Sequence, residues 1–149
     1  PPRSTLFPYT TLFRSVKLDH IGIAVKSIAQ SRRFYEGGLK LHAFPSVEEV
    51  LGERVRVLKL DVEPGLHIEL LEAMDDESPI AKFIAKRGEG LHHLCYAVDD
   101  VLLATETLKA QGFKPLWERP RNGAGGCIVN FFHPKDTFGV LTELSQLPK

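Results

Sequence analysis

Leu18-Asp19-His20-Ile21-Gly22-Ile23-Ala24-Val25 and Leu91-His92-His93-Leu94-Cys95-Tyr96-Ala97-Val98 are two copies of one pattern. His20 and His93 take the same place in it, 73 residues apart. Both runs have the apolar character of a buried strand. Each is followed by a stretch with helical character, Ser27 to Glu36 in the first half and Val101 to Gln111 in the second. Ser27 and Asp99 or Asp100 are suitable N-caps, and Gly37-Gly38 and Gly112 suitable stops. The far ends of the halves also match. Leu66-His67-Ile68-Glu69-Leu70 parallels Val140-Leu141-Thr142-Glu143-Leu144, which puts Glu69 and Glu143 in equivalent positions 74 residues apart. Two matches in the same order at nearly equal offsets point to an internal duplication.

Between helix and last strand each half has room for two further strands. In the first half these are Leu39 to Val50 and Arg54 to Val62; in the second they are Phe113 to Glu118 and Cys127 to His133, joined by the Gly-rich stretch Pro120 to Gly126. Each half therefore reads β-α-β-β-β. The predicted fold is α+β, two tandem modules related by a pseudo-twofold axis and forming a curved mixed sheet around a metal cleft. One domain is expected over 16–149, with module 1 at about 16–74 and module 2 at about 90–145. Ser78-Pro79 opens a helical link over 79–87, an N-cap followed by a residue suited to the first helical position.

The 149-residue chain is 43% hydrophobic and 26% charged, as expected of a globular protein with a core of its own. Lys+Arg and Asp+Glu number 19 each, so the net charge is zero and the electrostatic footprint of a general nucleic-acid binder is missing. No apolar run approaches the roughly 20 residues that span a bilayer. Cys95 and Cys127 form no CxxC pair, and two free thiols in a reducing cytoplasm are expected. Residues 1–15 differ from the rest: they have no regular period and no secretory-signal pattern. Thr5 to Ser15, TLFPYTTLFRS, resembles the translation of a sequencing adapter, so 1–15 is read as a non-native or disordered leader.

If the halves are symmetry-related, His20 pairs with His93 and Glu69 with Glu143. Two imidazoles and two carboxylates meeting in a cleft form a mixed N/O site suited to a divalent first-row metal such as Co, Mn, Ni, Zn or Fe. Four protein ligands on a six-coordinate ion leave two positions for substrate oxygens. A lone strand histidine is more often a core residue, and a strand carboxylate more often solvated; the repeat tips the balance toward ligands. His67 is a rival to Glu69, two residues away on the same strand face. His92 is expected to point away from the face of His93, and His42 and His133 to be surface or loop residues.

The stretches LDHIGIAV, IELLEAMDDESPIAKFI, GLHHLCYAVDD and NFFHPKDTFGVLTEL resemble the vicinal-oxygen-chelate superfamily, within it most closely the methylmalonyl-CoA epimerases, over about Val16 to Lys149. The resemblance implies His20, Glu69, His93 and Glu143 as ligands, a CoA thioester as substrate, a divalent cofactor (Co2+ first, then Mn2+, Ni2+ or Zn2+) and a homodimer. It implies epimerisation at C2 of the thioester through a metal-stabilised enolate. Glu143 is then the first choice for one acid/base and Glu69 for the other, with Glu48 or Glu49 left as alternatives. Two features depart from the family. Gly37-Gly38 follows Glu36 where an apolar residue and a single glycine are usual, and Val55-Arg56-Val57 stands where some members carry a candidate acid/base Glu. Arg119 or Arg121, flanking the Gly-rich stretch, are candidate partners for CoA phosphates, against a simple hairpin connection. A glyoxalase-type lyase acting on a glutathione hemithioacetal and a non-catalytic small-ligand binder remain alternatives. An extradiol dioxygenase is disfavoured by the extra carboxylate, Glu69.

Overall fold

The computed structural model describes residues 16–148; the expected leader, 1–15, lies outside the described residues. They form two compact units, 19–93 and 94–148 with 16–18. In chain order the first half runs β1 (Lys17–Ala24), α1 (Ile28–Arg32), a π-helical turn (Arg33–Gly38), β2 (His42–Ala43), β3 (Glu48–Val50), β4 (Val55–Glu63), β5 (Leu66–Ala73) and α2 (Pro79–Arg87). The second runs β6 (Gly90–Ala97), α3 (Val101–Ala110), β7 (Arg121–Asn122), β8 (Ile128–Phe132) and β9 (Thr142–Gln146). The fold is mixed α+β, and both halves follow the β-α-β-β-β order, with β2 and β3 as two pieces of one interrupted strand.

The strand registers repeat. β1 pairs with β5 in parallel and places Gly22 opposite Glu69; β6 pairs with β9 in parallel and places Cys95 opposite Glu143. In both cases the acid faces the residue two beyond the repeated histidine. β4 runs antiparallel to β5, and β8 antiparallel to β9. The equivalence reaches individual hydrogen bonds. Val25 N–H donates to the Leu71 carbonyl, and Val98 N–H to that of Ser145, both at 2.9 Å. Glu72 Oε2 accepts from Ile28 N–H at 2.8 Å, and Gln146 Oε1 from Val101 N–H at 2.9 Å. Each final strand thus satisfies an orphan donor at the start of its half's helix, which the helix itself leaves unpaired.

Local caps complete the helix starts. Ser27 accepts from Gln30 N–H, Ser78 from Ile80 N–H and Asp100 from Leu103 N–H. Of the two aspartates suggested for α3, Asp100 is therefore the cap. Val25, Ile28, Leu58, Leu60 and Leu70 form the core of the first unit. Val98, Val101, Ala104, Phe132 and Leu144 form that of the second. Burying each such aliphatic side chain contributes about 1.5–3 kcal/mol.

Three local expectations change. The first helix does not continue as α through Glu36. Its last turn widens, and Leu39 N–H donates to Phe34 five residues back at 2.8 Å, a turn that the weak helix formers Gly37-Gly38 tolerate. The strand expected over 39–50 breaks around Pro45, which has no N–H for a ladder. The stretch 113–118 is not a regular strand: it makes one bridge, Pro115 with Phe132. The fully buried Asn130 side chain takes both backbone groups of Trp117 instead, Oδ1 accepting from its N–H at 3.3 Å and Nδ2 donating to its carbonyl at 3.1 Å.

Candidate metal centre

Alternation along β1 buries His20, Gly22 and Ala24 on one side. Parallel pairing with β5 sets His20 opposite His67 and Gly22 opposite Glu69, so β5 presents a histidine and a carboxylate beside the His20 ring. His93, buried on β6, also reaches the His20 ring. His20 Nε2 lies 3.1 Å from His93 Nε2 and 3.5 Å from Glu69 Oε1. The two imidazoles meet edge to face, with centroids 5.2 Å apart. Within residues 19–93, His20 therefore has two of the other expected ligands, His93 and Glu69, beside its Nε2.

Close packing of His93 depends on Gly22. A Cβ built there would lie 2.2 Å from His93 Cε1 and 2.4 Å from Nδ1, distances no side chain tolerates. Glycine at position 22 thus makes room for the ring, whereas the repeat has Cys95 at the equivalent place.

The surrounding contacts suit ligation. His20 Nδ1 is 2.7 Å from Asp19 Oδ2, so Nδ1–H donates to the carboxylate and the Nε2 lone pair is directed at the group, as in carboxylate–histidine–metal arrangements. This hydrogen bond holds the Asp19 carboxyl below its ordinary range, against partial burial. His93 Nδ1 lies 3.0 Å from His92 Nδ1. Donation from His93 to His92 leaves His93 Nε2 as a donor atom for an ion. His67 Nε2 lies 3.1 Å from Glu69 Oε2 and its ring centroid is 4.9 Å from that of His20. With Oε2 held by His67, Oε1 is the Glu69 atom nearer His20. Ligand atoms about 2.1 Å from one ion stand about 3.0 Å apart at a right angle and about 3.4 Å apart at a tetrahedral angle. The two spacings from His20 fit neighbouring ligand positions, and imidazole and carboxylate donors suit a first-row divalent ion.

Glu143, the fourth expected ligand, lies in the other unit. It is buried on β9, opposite Cys95 on β6 and Phe131 on β8. Of the other histidines, His92 packs its ring against Phe83 of α2, 4.9 Å between centroids. His42 is exposed on β2 with Asp61 3.9 Å away, and exposed His133 accepts from Lys135 N–H in a turn. Glu49 is engaged by Arg56 at 3.2 Å, which also holds Glu72 at 3.1 Å. Neither Cys95 nor Cys127 is in a disulfide. Sequence reasoning overlooked Asp19, because alternation assigns it to the face opposite His20. His67, the rival to Glu69, contacts that carboxylate and also forms, with Asp19 and His20, a group whose possible ligand atoms lie within 4.8 Å of one another. The His-x-Glu spacing was the available signal for His67; Asp19 gave none beyond its adjacency to His20.

A sequence model of the glyoxalase/bleomycin resistance protein/dioxygenase superfamily matches residues 19–131. The chain is 38% identical over 134 residues to the ethylmalonyl-CoA/methylmalonyl-CoA epimerase of Cereibacter sphaeroides, covering 88% of this chain and 98% of that protein. The methylmalonyl-CoA epimerase of Mycobacterium tuberculosis superposes with a TM-score of 0.84 at 34% identity, covering 89% of this chain and 88% of that one. The Streptomyces coelicolor epimerase in complex with 2-nitronate-propionyl-CoA gives 0.83 at 33% identity, with 89% and 98% covered. The chain therefore belongs to the glyoxalase/bleomycin resistance protein/dioxygenase superfamily, the vicinal-oxygen-chelate group, and within it to the family of the methylmalonyl-CoA epimerases.

Proposed function

We propose that this protein is a metal-dependent epimerase interconverting the C2 epimers of methylmalonyl-CoA. One observation carries the reading: His20 Nε2 lies 3.1 Å from His93 Nε2 and 3.5 Å from Glu69 Oε1, in a chain similar to known epimerases along most of its length. His20, Glu69, His93 and Glu143 are the proposed ligands. The case for Glu143 is the repeated register, in which Glu69 faces Gly22, two beyond His20, and Glu143 faces Cys95, two beyond His93. A divalent ion held there, Co2+ first and Mn2+, Ni2+ or Zn2+ from the same donor class, supplies Lewis-acid stabilisation of charge developing on the thioester oxygen.

The chain's own groups do the rest. The C2 hydrogen lies between a thioester and a carboxylate, so its removal needs a base on one face and a proton donor on the other. Glu143 is the proposed first base and Glu69 the second. Each positioned acid/base contributes about 10²–10⁴-fold. Glu69 Oε2 lies 3.1 Å from His67 Nε2, a contact that orients the carboxyl. The substrate is a CoA thioester, as in the Streptomyces coelicolor complex. An ethylmalonyl thioester differs by one methylene, worth about 1–3 kcal/mol of discrimination. A homodimer in the cytoplasm completes the proposal, the cytoplasmic location being in line with the absence of a disulfide between Cys95 and Cys127. No described helix is long and apolar enough to cross a membrane.

Proton NMR in D₂O with (2S)-methylmalonyl-CoA tests the reading, comparing metal-stripped and Co2+-loaded protein. Metal-dependent loss of the C2 proton signal, with appearance of the other epimer, is the expected result. No exchange above the stripped control sinks it, and glutathione hemithioacetals then become the substrates to try.

A further inference from the structure

Trp117 carries an arginine on its face. The Arg121 guanidinium carbon sits 4.4 Å from the indole centroid, well inside cation–π range. The indole meets Phe131 edge to face at 5.5 Å and 87°. Phe131 stands opposite Glu143 across β8 and β9, whereas the neighbouring Phe132 and Leu144 turn to the core beside α3. The Trp117 stack therefore lies on the Glu143 face of its strands. Its backbone is fixed from behind by both polar atoms of the Asn130 amide. Arg119 and Arg121 are exposed, and among the described residues neither forms an ion pair with a carboxylate. The nearby Glu118 carboxylate is held by Lys109 at 2.8 Å.

A rigid aromatic plane topped by a guanidinium, with a second guanidinium two residues away, matches a ligand that is both planar and multiply anionic. Bases stack on arginine planes and aromatic rings with about 1–3 kcal/mol each. Phosphates take charge-assisted hydrogen bonds from guanidinium groups. Nucleic acid fits poorly, because the chain has no net positive charge. We infer that Trp117, Arg119 and Arg121 bind the adenine-nucleotide end of the CoA thioester, the base stacking on Arg121 over Trp117 and the phosphates meeting the two guanidinium groups. The inference rests on the epimerase reading for the identity of the thioester.

Trp117 is the only tryptophan in the chain, so its fluorescence reports on this place alone. The metal-loaded full chain is titrated with CoA, with adenosine 3′,5′-bisphosphate and with pantetheine. CoA and the bisphosphate are expected to change the emission saturably and to compete with each other, and pantetheine to leave it unaltered. Arg121→Gln is expected to raise the Kd for CoA about tenfold, one stacking contact's worth. It should lower by a similar factor the selectivity for methylmalonyl-CoA over methylmalonyl-pantetheine, read as a ratio of kcat/KM. A bisphosphate without effect on the emission, together with the same selectivity in Arg121→Gln and wild type, overturns the inference even if both thioesters epimerise. Saturable nucleotide binding in a protein that epimerises neither thioester leaves the platform standing and removes the epimerase reading instead.

Discussion

Replacing Gly22 by alanine tests the packing of the candidate metal centre with a single methyl group. That methyl would start 2.2 Å from His93 Cε1, 2.4 Å from Nδ1 and 2.8 Å from Nε2, against an ordinary contact of 3.4–4 Å. The ring must retreat by about 1.2 Å to reach even the short end of that range. His93 is 6% exposed and its Nε2 stands 3.1 Å from that of His20, so the retreat spoils the meeting of the two nitrogens. Two costs follow. Overpacking lowers the stability of the metal-free protein by about 1–3 kcal/mol, a fall in Tm of about 3–10 °C for a chain of this size. Loss of ligand alignment weakens metal binding by at least the factor of about 10–100 typical of disturbed outer contacts. Calorimetric titration with Co2+ and thermal unfolding of the stripped protein measure the two separately. Gly52→Ala is the control, since a Cβ at Gly52 meets nothing within 4 Å. If Gly22→Ala binds Co2+ within twofold of wild type and melts at the same temperature, the proposed crowding of His93 is refuted.

Other substitutions probe the remaining contacts. Asp19→Asn keeps the shape but removes the charge that orients His20, and should weaken Co2+ binding about 10–100-fold; an unchanged Kd in a competition titration counts against this role. His67→Leu should do the same through Glu69 and alter the visible spectrum of the Co2+-loaded protein, with His67→Gln restoring part of the affinity by keeping a donor. Asn130→Ala leaves the Trp117 N–H and carbonyl without their side-chain partner, a loss of about 1–3 kcal/mol per buried group. Urea denaturation should register it, and a midpoint equal to wild type would show that the stretch repairs itself. Stripping the metal with a chelator should lower Tm and Co2+ should restore it, since a ligand bound only by the folded state stabilises it by mass action; identical melting curves with and without Co2+ contradict ligation.

The duplication, the β-α-β-β-β order, the local caps Ser27, Ser78 and Asp100, and the equivalent places of His20 and His93 and of Glu69 and Glu143 were legible in the chain. Apolar periodicity and capping chemistry are local, and a repeat carries them twice. Strand register is not local, and it decided the contacts around the candidate ligands. Nothing in the order of residues says that His67 lies opposite His20, that Gly22 faces Glu69, or that the Gly22 position must be empty for the His93 ring. A shift of one residue would send every side chain of a strand to the other face. The same reason hid the Glu72 and Gln146 caps, which reach helices 44 and 45 residues away. It also hid the amide of Asn130, which turned an expected strand into an irregular one. Alternation misjudged Asp19, because a carboxylate beside a histidine can reach around the strand to its Nδ1 even when the backbone points the two apart. Sequence alone determined which residues recur and in what order; tertiary structure decided which of them touch, since contact follows from registers and packing between segments distant in the chain.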